Sequence, residues 1–71
     1  MTINEQLIQL MQEAGMDTRP DPKLNHDADQ IAEMLGVSMR TVISWLSPVS
    51  WVSHRKMRSS YLDLLQIKLN K

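Results

Sequence analysis

The sequence predicts an all-α fold: one small domain, residues 1–71, of four to five helices. Three observations carry that expectation. Apolar residues recur at helical spacing in four separate stretches, with cap-forming residues just before them. Glycine or proline punctuates the first three stretches where each should stop. There is no cysteine, so neither disulfides nor a thiolate zinc site can hold a chain that buries only about 60% of its unfolded surface. Helix packing, dimerisation or both must supply the stability.

The first helix is expected over 3–14. Thr2 and Glu5 have the spacing of a capping box, in which each side chain satisfies a backbone N–H of the other residue. Ile3, Leu7, Leu10, Met11 and Ala14 follow with helical period and leave Asn4, Glu5, Gln9, Gln12 and Glu13 mostly outside. Gly15 supplies a left-handed residue after the last turn, and Met16 the apolar contact back to Met11 that accompanies a Schellman motif. Residues 16–27, with Pro20 and Pro22 among polar neighbours, read as a loop.

A second helix then starts at Asp27, a cap with Gln30 as its polar partner. The alternative start is Pro22 capped by Asp21, which places Leu24, Ala28, Ile31 and Leu35 on one stripe. In either case Ile31, Ala32 and Leu35 face inward and Gly36 stops the helix. Ser38 caps a third helix of about 39–46, with Val42, Trp45 and Leu46 inward. Pro48 ends it, because the residue before a proline is driven out of the α region. Ser47–Ser59 lacks a helical period and reads as a loop. Ser59 or Ser60 caps a last helix of about 61–69, with Asp63 near its positive end.

A net charge of zero conceals two opposite halves. Residues 1–35 hold two basic and seven acidic side chains; residues 36–71 hold six basic and one acidic. The split prompts a polyanion partner on the basic side, with the acidic half a solvated surface turned away from it. No apolar run is long enough to span a bilayer and no apolar segment follows a basic start, so cytoplasm is the expected compartment. His26, Asp27 and Asp29 lack a third firm ligand, so no metal site is expected. Without a glycine-rich phosphate cradle or a nucleophile–histidine–carboxylate set, no enzyme activity, cofactor or small-molecule ligand is expected either.

Helices two and three, joined by a tight turn at Gly36, make a helix-turn-helix over about 28–47. The small side chain of Ala32 lets the two helices approach where they cross, and Val37 fills the space beneath the turn. Val42 and Trp45 anchor the second helix of the pair. Its other face, with Met39, Arg40, Ile43, Ser44 and Ser47, is left free to enter a groove.

The run QIAEMLGVSMRTVISWL (Gln30–Leu46) resembles the helix-turn-helix of the Cro and repressor family of phages and bacteria, the lambda-repressor-like or XRE type. The small residue, glycine, Val-Ser, Thr-Val and tryptophan of that pattern fall in register at Ala32, Gly36, Val37-Ser38, Thr41-Val42 and Trp45. The tail R-K-M-x-S-x-Y-L-D-L-L (Arg55–Leu65) is similar to that of small phage-type members. Two departures stand out. The step from the first helix to the motif is longer by about ten residues, by the spacing the family usually shows, and carries two prolines. The familiar Trp-Glu-x-Gly ending is replaced by Trp45-Leu46-Ser47-Pro48, which lengthens the following loop.

The resemblance implies a small transcriptional repressor or autoregulator of phage or mobile-element type. It would bind double-stranded DNA by sequence and occlude RNA polymerase. Residues 39–46 would lie in the major groove with Met39, Arg40, Ile43 and Ser44 at base edges; arginine is the commonest guanine reader, and Ile43 suits a thymine methyl. Ser38, Thr41 and Ser47, with His54, Arg55, Lys56 and Arg58 of the following loop, would hold phosphates, assisted by the hydroxyls of Ser50, Ser53 and Ser59. Trp45 belongs to the core. Trp51 either packs over the core or braces its loop on the sugar-phosphate wall.

The last helix carries too many apolar residues for one stripe. Leu62, Leu65 and Leu69 are expected to close the domain, leaving Tyr61, Leu64 and Ile67 to meet a second copy. A homodimer would then read an inverted-repeat operator with half-site centres ~10 base pairs apart. The alternatives are an antirepressor-type protein-binding module, or an excisionase-type or architectural DNA binder.

Overall fold

The computed structural model describes residues 2–52 and 54–69. It is all-α, with four helices: α1 (Ile3–Glu13), α2 (Asp27–Leu35), α3 (Met39–Leu46) and α4 (Ser59–Leu69). α1 packs on α3 and α4, and α2 packs on the same two, so α1 and α2 face each other across the core. α3 and α4 take the other diagonal, bridged by their aromatic rings: Trp45 and Tyr61 lie 5.4 Å apart, tilted by 41°.

The caps of α1 and α3, and the ends of α1 and α2, follow the sequence closely. Thr2 Oγ1 accepts from the Glu5 backbone N–H at 3.1 Å while the Glu5 carboxylate reaches back to Thr2, completing the box. α1 ends in a Schellman motif: the Met16 N–H donates to the Met11 carbonyl at 2.8 Å, and Gly15 takes φ +75°. α2 ends the same way, with Gly36 at φ +70° and the Val37 N–H donating to the Ala32 carbonyl at 3.0 Å. Only Val37 and Ser38 then separate this turn from α3, and Ser38 Oγ caps α3 by accepting from the Thr41 N–H at 3.2 Å.

The start of α2 differs from the expected cap. Asn25, fully buried, accepts from the Ala28 N–H through Oδ1 at 3.0 Å and donates from Nδ2 to the Arg19 carbonyl at 2.8 Å. Asp27 instead lies inside the helix, its carboxylate accepting from the Asp17 N–H at 2.7 Å. These two side chains tie down the long connection. Asp21 does nucleate a turn there, accepting from Leu24 and Asn25 through its backbone carbonyl, but the turn does not propagate into a helix and Leu24 stays exposed. Arg19 folds back on Asp17, and that hydrogen bond holds the Asp17 carboxyl below its usual range.

α4 begins two residues earlier than the spacing predicts. The Arg58 carbonyl accepts from the Tyr61 and Leu62 N–H groups, so the helix opens at Ser59. Asp63 consequently sits beyond the first turn, where the helix dipole does little for it.

One core holds the domain together. Leu7 and Met11 of α1, Ala28, Ile31, Ala32 and Leu35 of α2, Val42, Trp45 and Leu46 of α3, and Leu62 and Leu65 of α4 are buried, with Met57 of the preceding segment. Leu69 packs against it from the edge. At roughly 1.5–3 kcal/mol for each large side chain removed from water, this cluster is the main source of stability. No helix among the described residues is long and apolar enough to cross a membrane.

Candidate nucleic-acid interface

α3 buries one side and presents the other. Val42, Trp45 and Leu46 are inside, whereas Arg40 is exposed. Met39 and Ile43 take an intermediate position, packed against the core along one edge while the rest of each side chain is open. With eight residues α3 is about 12 Å long, a size that an open B-DNA major groove accepts.

Two of the serines expected at the surface are set back from it. Ser44 is buried and donates its hydroxyl proton to the Arg40 carbonyl at 2.9 Å; Ser47 is buried and donates to the Ile43 carbonyl at 2.9 Å. A serine inside a helix readily turns onto the carbonyl one turn back, and here it removes both donors from the outward face. Base-edge contact by Ser44 and phosphate contact by Ser47 are therefore disfavoured by where these hydroxyls point. Ser38 and Thr41 remain at the open end of α3, their hydroxyls 2.9 Å apart.

The segment after α3 is brought back alongside it. The Arg55 N–H donates to the Ser44 carbonyl at 3.2 Å. His54 Nδ1 lies 2.9 Å from the Ser47 carbonyl; a carbonyl only accepts, so Nδ1 carries the proton. Asn4, expected outside α1, is instead buried and joins the two: Nδ2 donates to the carbonyls of Trp45 at 3.0 Å and Arg55 at 2.8 Å, and Oδ1 accepts from the Met57 N–H at 3.1 Å. The sequence held a signal for this. Asn4, Leu7 and Met11 are spaced i, i+3, i+7 and share the inward face.

The result is a groove of about 410 Å³ lined by Arg40, Thr41, Ile43, Ser44 and Arg55. No acidic residue occurs in the chain between Glu33 and Asp63. Among the described residues, Arg40, Arg55, Lys56 and Arg58 pair with no carboxylate, and all four are exposed. Unpaired cations at the two walls of an open groove create a positive potential that an anion can enter without first displacing an internal partner. Ser53 lies outside the described residues. Ser50 and Ser59 are exposed to either side of the cationic segment.

Trp51 stands half exposed and contributes nothing to the core, with Val49 and Val52 beside it also exposed. On α4, Tyr61 is not free as expected: it is half-buried against Trp45. Leu64 and Ile67 do face outward, at 38% and 67% exposure. Among the described residues no group of three acidic or imidazole side chains is gathered closely enough to hold a metal ion. No family model, curated protein or solved structure matches the chain.

Proposed function

We propose that the protein binds double-stranded DNA by sequence, with α3 in the major groove and the Arg55–Arg58 segment on the adjoining phosphates. The observation that carries this reading is the shared groove of Arg40 and Arg55, free of carboxylates, on the open side of a capped helix. Arg40 reads a base edge; Met39 and Ile43 give apolar contact beside it. Arg55, Lys56 and Arg58, with Ser38 and Thr41, neutralise or donate to phosphates. The protein then acts as a small repressor or autoregulator that blocks access to the promoter it occupies, in the cytoplasm where the DNA is. Leu64 and Ile67 provide apolar surface for a second copy, which would match an inverted repeat.

A second reading rests on the same two residues. If Leu64 and Ile67 dock on a different protein, the chain is an antirepressor-type binding module. Fluorescence anisotropy with a random-sequence duplex separates the two. DNA binding requires log K to fall linearly with log salt, because phosphate neutralisation releases counterions. An absence of duplex binding at low salt would leave the protein-binding reading.

A further inference from the structure

We propose that Asn4 is the positioning residue of this interface: its buried carboxamide sets the offset between α3 and the cationic segment. The inference deepens the DNA-binding reading and rests on it. The segment from His54 to Arg58 belongs to no helix: its ends are held locally, the His54 N–H on the Trp51 carbonyl and the Arg58 carbonyl under the first turn of α4, while its middle depends on longer-range contacts. What ties it to the rest of the domain is a set of tertiary hydrogen bonds, and two of them, at Arg55 and Met57, meet on one side chain of α1 that also bonds α3 at Trp45. Asn4 addresses the last turn of α3 through Trp45, and the cationic segment on both sides of Lys56 through Arg55 and Met57. Both of its amide protons and its oxygen are used. It is 7% exposed, so water cannot substitute freely for any of the three partners.

The consequence is geometric. Arg40 is fixed by α3, and Arg55 by a backbone that α3 and α1 hold jointly. A duplex that touches both must match a spacing that Asn4 maintains. Met57, buried two residues beyond Arg55, anchors the far part of the same segment, so it is pinned at its inner side while Arg55, Lys56 and Arg58 stay outside. Without the carboxamide, the cations are still present, but only the Arg55 N–H bond to Ser44 and the burial of Met57 keep them near the recognition helix. Their contribution to binding then carries the entropy of ordering the segment on each encounter.

The test uses the full chain with Asn4→Asp and Asn4→Ala, and Leu7→Val as a control on the same buried face of α1. Asp has the volume of Asn and can still accept from Met57, but it cannot donate to the two carbonyls. Two measurements are made on each variant at a temperature where it is folded by circular dichroism. The first is the rate of tryptic cleavage after Arg55 and Lys56 without DNA. Both Asn4 variants should be cut at least about tenfold faster than wild type, because opening of that segment no longer breaks the clamp. Leu7→Val should not change the pattern of sites. The second is the slope of log K against log salt on a duplex. It should fall in both Asn4 variants by about 0.9 for each of Arg55, Lys56 and Arg58 that no longer reaches a phosphate, and stay at the wild-type value in Leu7→Val. Unchanged cleavage together with an unchanged slope would overturn the proposal, as would loss of affinity in strict proportion to the folded fraction. Faster cleavage with no salt-dependent duplex binding even in wild type would show that the clamp exists and that the DNA reading, with the role assigned to Asn4 in it, is wrong.

Discussion

Replacing Gly36 by alanine isolates the turn that aims α3. Gly36 sits at φ +70° and ψ +30°, the left-handed region. A Cβ built there meets no heavy atom within 4 Å. The cost of the substitution is therefore backbone strain alone, about 1–2 kcal/mol for an L-residue with a Cβ in this region. Alanine also restricts the unfolded chain, which offsets the loss by about 0.4–1 kcal/mol. The net destabilisation works out near 1 kcal/mol, which for a domain of this size lowers Tm by about 4–8 °C. Asparagine tolerates the left-handed region better, so Gly36→Asn should lose roughly half as much. Gly15, at φ +75° and equally open, provides an internal standard: Gly15→Ala should cost the same within a few tenths of a kcal/mol, given the same strain at both sites. Urea unfolding monitored by circular dichroism reads all three, with an unchanged m-value as the condition for comparison. A Gly36→Ala protein as stable as wild type would refute the left-handed turn. A loss above about 3 kcal/mol would mean that the site is crowded rather than open, since strain alone does not reach that size.

Arg40→Ala should weaken binding to the preferred duplex by about 1–3 kcal/mol and relax the preference at one base pair, measured by competition with single-position variants of the site. Equal loss on every sequence would instead make Arg40 a phosphate contact. Arg55→Gln, Lys56→Gln and Arg58→Gln should each reduce the salt slope by about 0.9 units while leaving sequence preference intact, and three unchanged slopes would remove the segment from the interface. Leu64→Glu places a charge on the outward face of α4 without touching the core. It should shift the mass in sedimentation toward the monomer and weaken binding to a two-site duplex more than to a half-site; a wild-type monomer, free and bound, would contradict the dimer.

The helices were largely legible because their boundaries are local chemistry. Thr2 with Glu5, Gly15, Ser38 and Gly36 act through bonds within a few residues, and all four do what their spacing predicts. Most of the differences between spacing and structure have another cause. Polarity alone points Asn4 outward, yet it lies on the Leu7–Met11 face and finds its partners 41 to 53 residues away. Asn25 and Asp27 are both competent caps two residues apart, and the choice between them is made by contacts with Arg19 and Asp17 across the loop. Ser44 and Ser47 differ in kind: their hydroxyls turn back four residues onto carbonyls of α3, a local alternative that spacing alone does not choose. Tyr61 reads as free surface in the pattern of its own helix because its partner, Trp45, is on another. Polar side chains with long-range partners are what a one-dimensional pattern does not reveal.

Selection of bound duplexes from a random oligonucleotide pool asks whether α3 reads DNA sequence. Wild-type protein is incubated with the pool at moderate salt, retained DNA is sequenced over several rounds, and Arg40→Ala is carried in parallel. Sequence reading by α3 should enrich one motif, arranged as an inverted repeat with centres ~10 base pairs apart, and the variant should lose information at one position of each half. Retained DNA indistinguishable in sequence from the starting pool, or no retention at a salt concentration where exposed cations should still hold phosphates, would contradict it.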